Sequence, residues 1–346
     1  MNAHRLFNTD FPIIQAPMAG VQGSAMAIAV SNAGGLGSLP CALLSPEAIR
    51  AELSAIRAAT DKPYNVNFFC HAMPAPDELQ EKIWRAALAK YYKEWQIETE
   101  KPKSSGGRNP FTLETAELLA DFKPPVLSFH FGLPSADLVA MVKGWGSTII
   151  SSATTVEEAV WLEANGADVI IAQGLEAGGH RGHFLSHDLT VQSGTFALLP
   201  QIVAKVNVPV IAAGGIAGAV EVRAAMQLGA SAVQVGTSYL LCDEALTGPV
   251  YRAALKSDRA HHTALTNLFT GRPARGIVNR IMSELGPISD AAPTFPYATA
   301  ALGPLRARAE SAGDDSFTSM WSGQNASGCK EISAADLTRL LIAGLV

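Results

Sequence analysis

Charge is scarce in this chain, and cysteine is scarcer. Asp, Glu, Lys and Arg make up 16% of the 346 residues and sum to a net charge of −5. A nucleic-acid partner needs a basic face, which that balance excludes. No apolar run reaches the ~18 residues that cross a bilayer, which excludes a membrane-spanning helix. Residues 1–6 hold no apolar core of signal-peptide length, so export is not indicated. The four cysteines, Cys41, Cys70, Cys242 and Cys329, form no C-x-x-C pair and read as reduced thiols of a cytoplasmic protein. No H-E-x-x-H occurs, and Gly35-x-Gly37 meets Pro40 where a dinucleotide fingerprint requires its third glycine.

What the chain does have is apolar residues, 48% of the total, enough for one large domain or two modest ones. They fall into a repeating unit: a short apolar run, a Gly/Ser/Asn turn, then an Ala-rich helical stretch. The runs lie at 11–15, 35–39, 64–69, 125–129, 147–151, 167–172, 208–213 and 232–235. Ser45 and Pro46 open a helix as N-cap and first helical residue. Ser152 and the residues after it read as another capped start. The runs are continuous rather than alternating, as in parallel strands buried on both faces. Eight such units predict a closed (β/α)8 TIM barrel rather than an open sheet. The barrel is assigned to 1–71 and 125–258. Residues 72–124 form a helical insertion after the third strand, with a charged helix over 77–98 and a polar stretch over 101–108. Beyond about 258 the strand periodicity stops, and 259–346 is expected to form a mostly helical cover over the barrel mouth.

In such a barrel the chemistry sits at the C-terminal ends of the strands. The sixth run ends in Gln173-Gly-Leu-Glu-Ala-Gly-Gly-His180, which brings backbone donors and an imidazole to one point. A lone histidine is more often structural, but this glycine-rich setting favours His180 as a functional residue. His180, His183 and His187 cluster without a completing Cys or carboxylate, so a metal site is not expected. His130 lies between two aromatics at the end of the fourth run and is a second substrate contact or a core histidine. Asn67, Gln173 and Gln234 suit the edge of a planar heterocycle such as an isoalloxazine. Met18 packs under such a ring or belongs to the core. Gly214-Gly215 and Gly236-Thr237, after the seventh and eighth runs, offer backbone N–H groups to a phosphate or serve only tight turns.

Seven motifs run in order over nearly the whole chain: Gln15-Ala-Pro-Met-Ala-Gly20, Asn65-Val-Asn67-Phe, Phe129-His-Phe-Gly-Leu-Pro134, the Gln173-to-His180 segment, Ala212-Ala-Gly-Gly-Ile216, Gln234-Val-Gly-Thr237 and Trp321-Ser-Gly-Gln324. Together they resemble the nitronate monooxygenase family, FMN-dependent (β/α)8 barrels, and its first class in particular. The resemblance implies FMN contacts at Met18, Asn67, Gln173, Gly178, Gly215, Gln234, Val235, Gly236, Thr237 and Gln324. It implies His180 and His130 as catalytic and substrate-binding residues, with Tyr297 as a further substrate contact. Family members often carry a second tyrosine and a lysine in the C-terminal cover, and residues 298–305 offer neither. The implied activity is oxidation of alkyl nitronates, such as propionate 3-nitronate, with O2 to a carbonyl compound and nitrite, by a monomer or homodimer. The glycine motifs are shared with flavin-dependent enoyl reductases. An NAD(P)H-dependent reductase of enoyl thioesters or quinones therefore stays open, as does a barrel without catalysis.

Overall fold

The structure, a computed structural model, describes residues 7–98 and 108–345. The N-terminal residues 1–6 and most of the polar stretch read from the sequence lie outside that range.

Eight parallel strands form the barrel: β1 (Ile13–Gln15), β2 (Gly37–Pro40), β3 (Tyr64–Phe69), β4 (Val126–His130), β5 (Thr148–Ala153), β6 (Val169–Gln173), β8 (Val210–Ala213) and β9 (Ala232–Val235). Between β6 and β8 lies β7, the two-residue strand Gly179–His180. The ladder runs β1-β9-β8-β6-β5-β4-β3-β2, and β1 meets Leu36 just before β2 to complete the circle. Every barrel strand is buried along its whole length or at all but one residue, which is why the sequence shows continuous apolar runs. Side chains alternate across a strand. One parity of β3, β4, β5, β6, β8 and β9 therefore faces inward, with Val126, Ile150, Val169, Ile171, Ile211 and Ala232 filling the interior. The same parity at the strand ends brings Asn67, Ser128, His130, Ser152, Gln173 and Gln234 to the mouth.

The eight helices of the outer ring differ from expectation at three places. Strand β5 runs on to Ala153, so Ser152 is a strand residue. Thr155 is the cap of the following helix, its side chain accepting from the Glu158 N–H at 3.2 Å. In the insertion, the helix Leu113–Ala120 packs against Pro46–Ala59 and Ala136–Gly144 as the ring's own member. Only Glu78–Glu94 departs from the barrel. The last helix, Ala334–Ile342, packs between Ser24–Asn32 and Ala219–Gln227. It is the eighth helix of the ring rather than part of the cover, because its Leu337 and Leu341 bury in the same apolar cluster as Met26, Val30 and Val222.

Strand periodicity does not stop at 258. Strands β10 (Thr263–Thr266) and β11 (Ala274–Ile277) form an antiparallel sheet with β7. They escaped notice because they are short and mixed, and Arg275 sits at the centre of β11. Over this sheet the helix Glu78–Glu94 packs on Ala298–Ser311. Trp84, Leu88, Tyr91 and Tyr92 share one core with Phe269, Leu302, Leu305 and Phe317, separate from the barrel clusters. The Trp84 indole donates to Ala298 O at 3.1 Å, and Tyr92 donates to Ala301 O at 2.6 Å. Insertion and C-terminal segment thus form a single roof.

Candidate active site

Floor and roof enclose a cavity at the C-terminal ends of the strands. At its centre the chain leaves β6 at Gln173, turns through two glycines, and pairs as β7 with β11, His180 opposite Ala274. The Gln173 amide closes this turn, its Nε2 donating to His180 O at 2.9 Å and its Oε1 accepting from Gly182 N at 2.8 Å. His130 Nε2 lies 3.1 Å from the same carbonyl. A carbonyl can only accept, so Nε2 of His130 carries the hydrogen. Burial, with Arg272 and Arg181 nearby, pulls this imidazole down to about 4, so it is neutral at physiological pH. Its Nδ1 must then accept, and the Ser152 hydroxyl donates to it at 3.2 Å. Gly182 is required here, because a Cβ would stand 2.9 Å from His130 Cε1. Both nitrogens of His130 are therefore engaged, Nε2 in holding the backbone of His180 and Nδ1 in taking the Ser152 hydroxyl.

The His180 ring points its Nε2 at Thr270 Oγ1, 2.9 Å away. Its walls are aromatic: Phe295, Trp321 and Phe131 have ring centres at 5.5, 5.6 and 6.0 Å. Burial first, then the charge of Arg108, holds its pKa well below the ordinary imidazole value. His180 is a neutral hydrogen-bonding group, not a cation.

Below it lies a cradle made of main chain. Gly214 and Gly215 have φ of +123° and +73°, which only glycine adopts readily. The N–H groups of Gly215, Gly236 and Thr237 donate to no acceptor among the described residues. Half-buried donors facing the cavity are open to a ligand, and the start of the helix Ala219–Gln227 adds a favourable dipole for an anion. A strap from the roof braces the cradle. Gly323 N donates to Thr237 Oγ1 at 2.9 Å, Gln324 N to Glu176 O at 2.9 Å, and Asn325 Nδ2 to Gly215 O at 3.1 Å. Gly178 lets the strap approach, since a Cβ would stand 2.5 Å from Gly323 N. The Glu176 carboxylate takes the Thr195 N–H and hydroxyl at 2.8 and 2.9 Å, capping a helix whose Gly194 offers no side chain. Orphaned donors beside the strand-end amides fit a planar, phosphate-bearing cofactor such as FMN.

Of the residues marked in the sequence, Met18, Asn67, His130, Gln173, Gly178, His180, Gly215, Gln234, Gly236 and Thr237 line this cavity. Three do not. Val235 is fully buried in the wall, its carbonyl taken by Ala16 N. The Gln324 side chain is exposed, and its neighbour Asn325 reaches the cavity instead. Tyr297 donates to Pro74 O at 2.8 Å and ties roof to insertion. Among the described residues no group of His, Cys, Asp or Glu is arranged to hold a metal. The sequence reading missed Arg108, Thr270 and Asn325. No local pattern marks them, because each reaches the site through a contact distant in sequence.

The nitronate monooxygenase family model matches residues 2–344. A nitronate monooxygenase of Pseudomonas aeruginosa is 41% identical over 343 residues, 98% of this chain and 97% of that one. Among solved structures, the nitroalkane oxidase from Streptomyces ansochromogenes superposes with a TM-score of 0.89 at 37% identity, covering 99% of this chain and 97% of its own. FabK from Thermotoga maritima superposes at 0.72 with 27% identity, covering 99% and 96%.

Proposed function

The chain belongs to the nitronate monooxygenase family, and from that premise we propose that it binds FMN and oxidises alkyl nitronates, such as propionate 3-nitronate, with O2. It is an oxidoreductase acting on nitronates. In the proposed reaction nitronate, dioxygen and water give a carbonyl compound, nitrite and hydrogen peroxide: the carbon–nitrogen bond breaks, the nitrogen leaves with the two oxygens it already carried, and dioxygen takes up the two electrons the substrate loses. A flavin held there would supply the redox capacity that passes electrons from nitronate to dioxygen. Met18, Asn67, Gln173 and Gln234 would hold its ring system, and Gly178, Gly215, Gly236 and Thr237 its phosphate end. The chain is proposed to work in the cytoplasm as a monomer or homodimer, with residues 72–124 and the roof part of 259–346 closing the site.

One observation carries this reading most: a neutral imidazole, His180, stands over a cradle of unpaired main-chain donors. A nitronate is already an anion at its reacting carbon, so no proton need be removed. His180 then orients the nitronate oxygens by hydrogen bonding, and the aromatic walls exclude water. If neutral nitroalkanes are used as well, the same unprotonated ring serves as the base. His130 acts through the backbone it clamps.

The test is aerobic nitrite release from a panel of nitronates, with FMN content measured by absorbance. Anaerobic mixing with nitronate, and separately with NADH or NADPH, tests the reductase reading left open by the glycine motifs. Flavin bleaching by nitronate is the expected result. Bleaching by the nicotinamide and none by nitronate would overturn the proposal.

A further inference from the structure

Arg108 is the unexplained charge of the cavity. Among the described residues five ionisable side chains line the wall: Arg108, Glu176, His130, His180 and Tyr251. The Glu176 carboxylate is occupied by Thr195, the Tyr251 hydroxyl by Trp321 O, and both histidines are neutral. That leaves Arg108 as the one formally charged group among them whose side chain has no hydrogen-bond partner. The Arg108 guanidinium makes no hydrogen bond or ion pair among the described residues.

Its backbone, by contrast, is firmly placed. Arg108 N donates to Ala42 O at 3.0 Å, just past the end of β2. Pro110 bridges Phe69 at the end of β3, and Phe111 N donates to Phe69 O at 2.8 Å. Arg108 itself has φ +63°, a left-handed conformation that non-glycine residues rarely adopt. Strain of that kind persists where the surroundings impose it, and clusters at ligand sites. The segment is stitched to two strand ends, and the side chain it delivers is half-buried near His180.

A guanidinium that has lost much of its water and gained no anion is costly unless a ligand completes it. Its planar fork matches a carboxylate in a two-point contact. We propose that Arg108 is a specificity-determining residue, pairing with a carboxylate at the far end of the substrate while the nitronate end lies against His180. The protein then prefers carboxylated nitronates to those with an uncharged tail. This inference rests on the nitronate reading above and assigns the choice among nitronates to one residue.

The test compares propionate 3-nitronate with butyl 1-nitronate, close in length but lacking the carboxylate, in the wild type, Arg108→Met and Arg108→Lys. Arg108→Met should lower kcat/KM for propionate 3-nitronate about 10- to 100-fold, mainly through KM, and change the uncharged substrate by less than about threefold. Arg108→Lys should recover part of the loss, because charge returns without the fork. Equal loss on both substrates would mean that Arg108 serves the nitronate group or the fold, and no loss would mean that it serves neither; either overturns the proposal. Binding of plain propionate, read by tryptophan fluorescence with Trp321 in the cavity wall, separates this idea from the parent reading. If the wild type oxidises no nitronate yet binds propionate, and Arg108→Met does not, the anion site stands while the nitronate reading falls. Failure of the wild type to bind propionate would sink the site itself.

Discussion

The floor and the roof of the cavity are built by opposite means. The floor is made of strand ends, glycine main chain and short amides joined side to side. Gln15, Gln22 and Ser38 bond one another, and Asn65 and Asn67 both donate to Ser128, at 2.9 and 3.0 Å. Most of its polar groups are satisfied by near neighbours in the barrel, Asn65 Oδ1 excepted, with a few main-chain donors left for a ligand. The roof is made of large side chains whose partners are remote, as with Trp84 on Ala298, 214 positions away. His180 is the seam, its carbonyl held by the floor and its strand paired with the roof. The difference teaches that gripping a cofactor and choosing a substrate can be separate tasks of separate layers, free to vary independently.

Trp84→Ala tests that separation most severely. The indole is fully buried at the centre of the roof core, so its loss should cost about 3–5 kcal/mol. If the layers are independent, a low-temperature unfolding transition appears while FMN stays bound, measured by calorimetry alongside flavin absorbance. A single transition that releases FMN with the roof would erase the distinction. Next in size is His180→Asn. Turnover of nitronate should fall about 100- to 1,000-fold, within the range for a positioned catalytic histidine. FMN content should not change, because Gln173 and His130 hold the backbone of residue 180 and not its ring. Loss of FMN would make His180 a structural residue of the floor.

The same contrast explains what could be read in the sequence. Eight continuous apolar runs give eight parallel strands, because burial on both faces leaves one hydrophobic signature in each. Most of the cavity floor was legible for the same reason, since strand ends fall where the runs stop and glycines mark the turns. Arg108 and Thr270 were not legible, because their place depends on how remote segments pack. Gln324 shows the limit within a motif: its loop reaches the cavity, but the strap presents Asn325 inward. Strands β10 and β11 hid because each is four residues long, polar or charged residues interrupt them at Thr263, Thr266 and Arg275, and the sheet is completed by the two-residue β7.

Gly178→Ala probes the join between layers. A methyl group would meet Gly323 N at 2.5 Å and Ser322 C at 2.6 Å, all main chain, so the strap must move away. A loss of about 1–3 kcal/mol in stability is expected from overpacking of this kind, with weaker FMN retention because Asn325 and Gly323 leave the cradle. Urea unfolding and FMN dissociation measured together check this. Unchanged FMN affinity would show that the strap braces nothing.

The smallest effect is on pH dependence, and it separates the layers once more. His130, at the floor, and His71, in the aromatic wall, are both pulled by burial from the ordinary 6.5 to about 4. In the folded chain they stay neutral where the unfolded chain already protonates them. Their contribution to stability is therefore complete above pH 6.5 and is lost as the pH falls toward 4. Melting temperature should hold steady from pH 8 to 7 and decline below about 6, with a net uptake of protons on unfolding. Replacing His71 by Phe, which keeps the ring among Phe69, Phe131 and Phe295, should flatten part of that decline and leave FMN binding alone. The kcat/KM for nitronate should show no inflection between pH 6.5 and 8, since His180 is neutral throughout. An inflection near 6.5 would mean that His180 titrates like an exposed imidazole, and that the roof does not shield the chemistry from water.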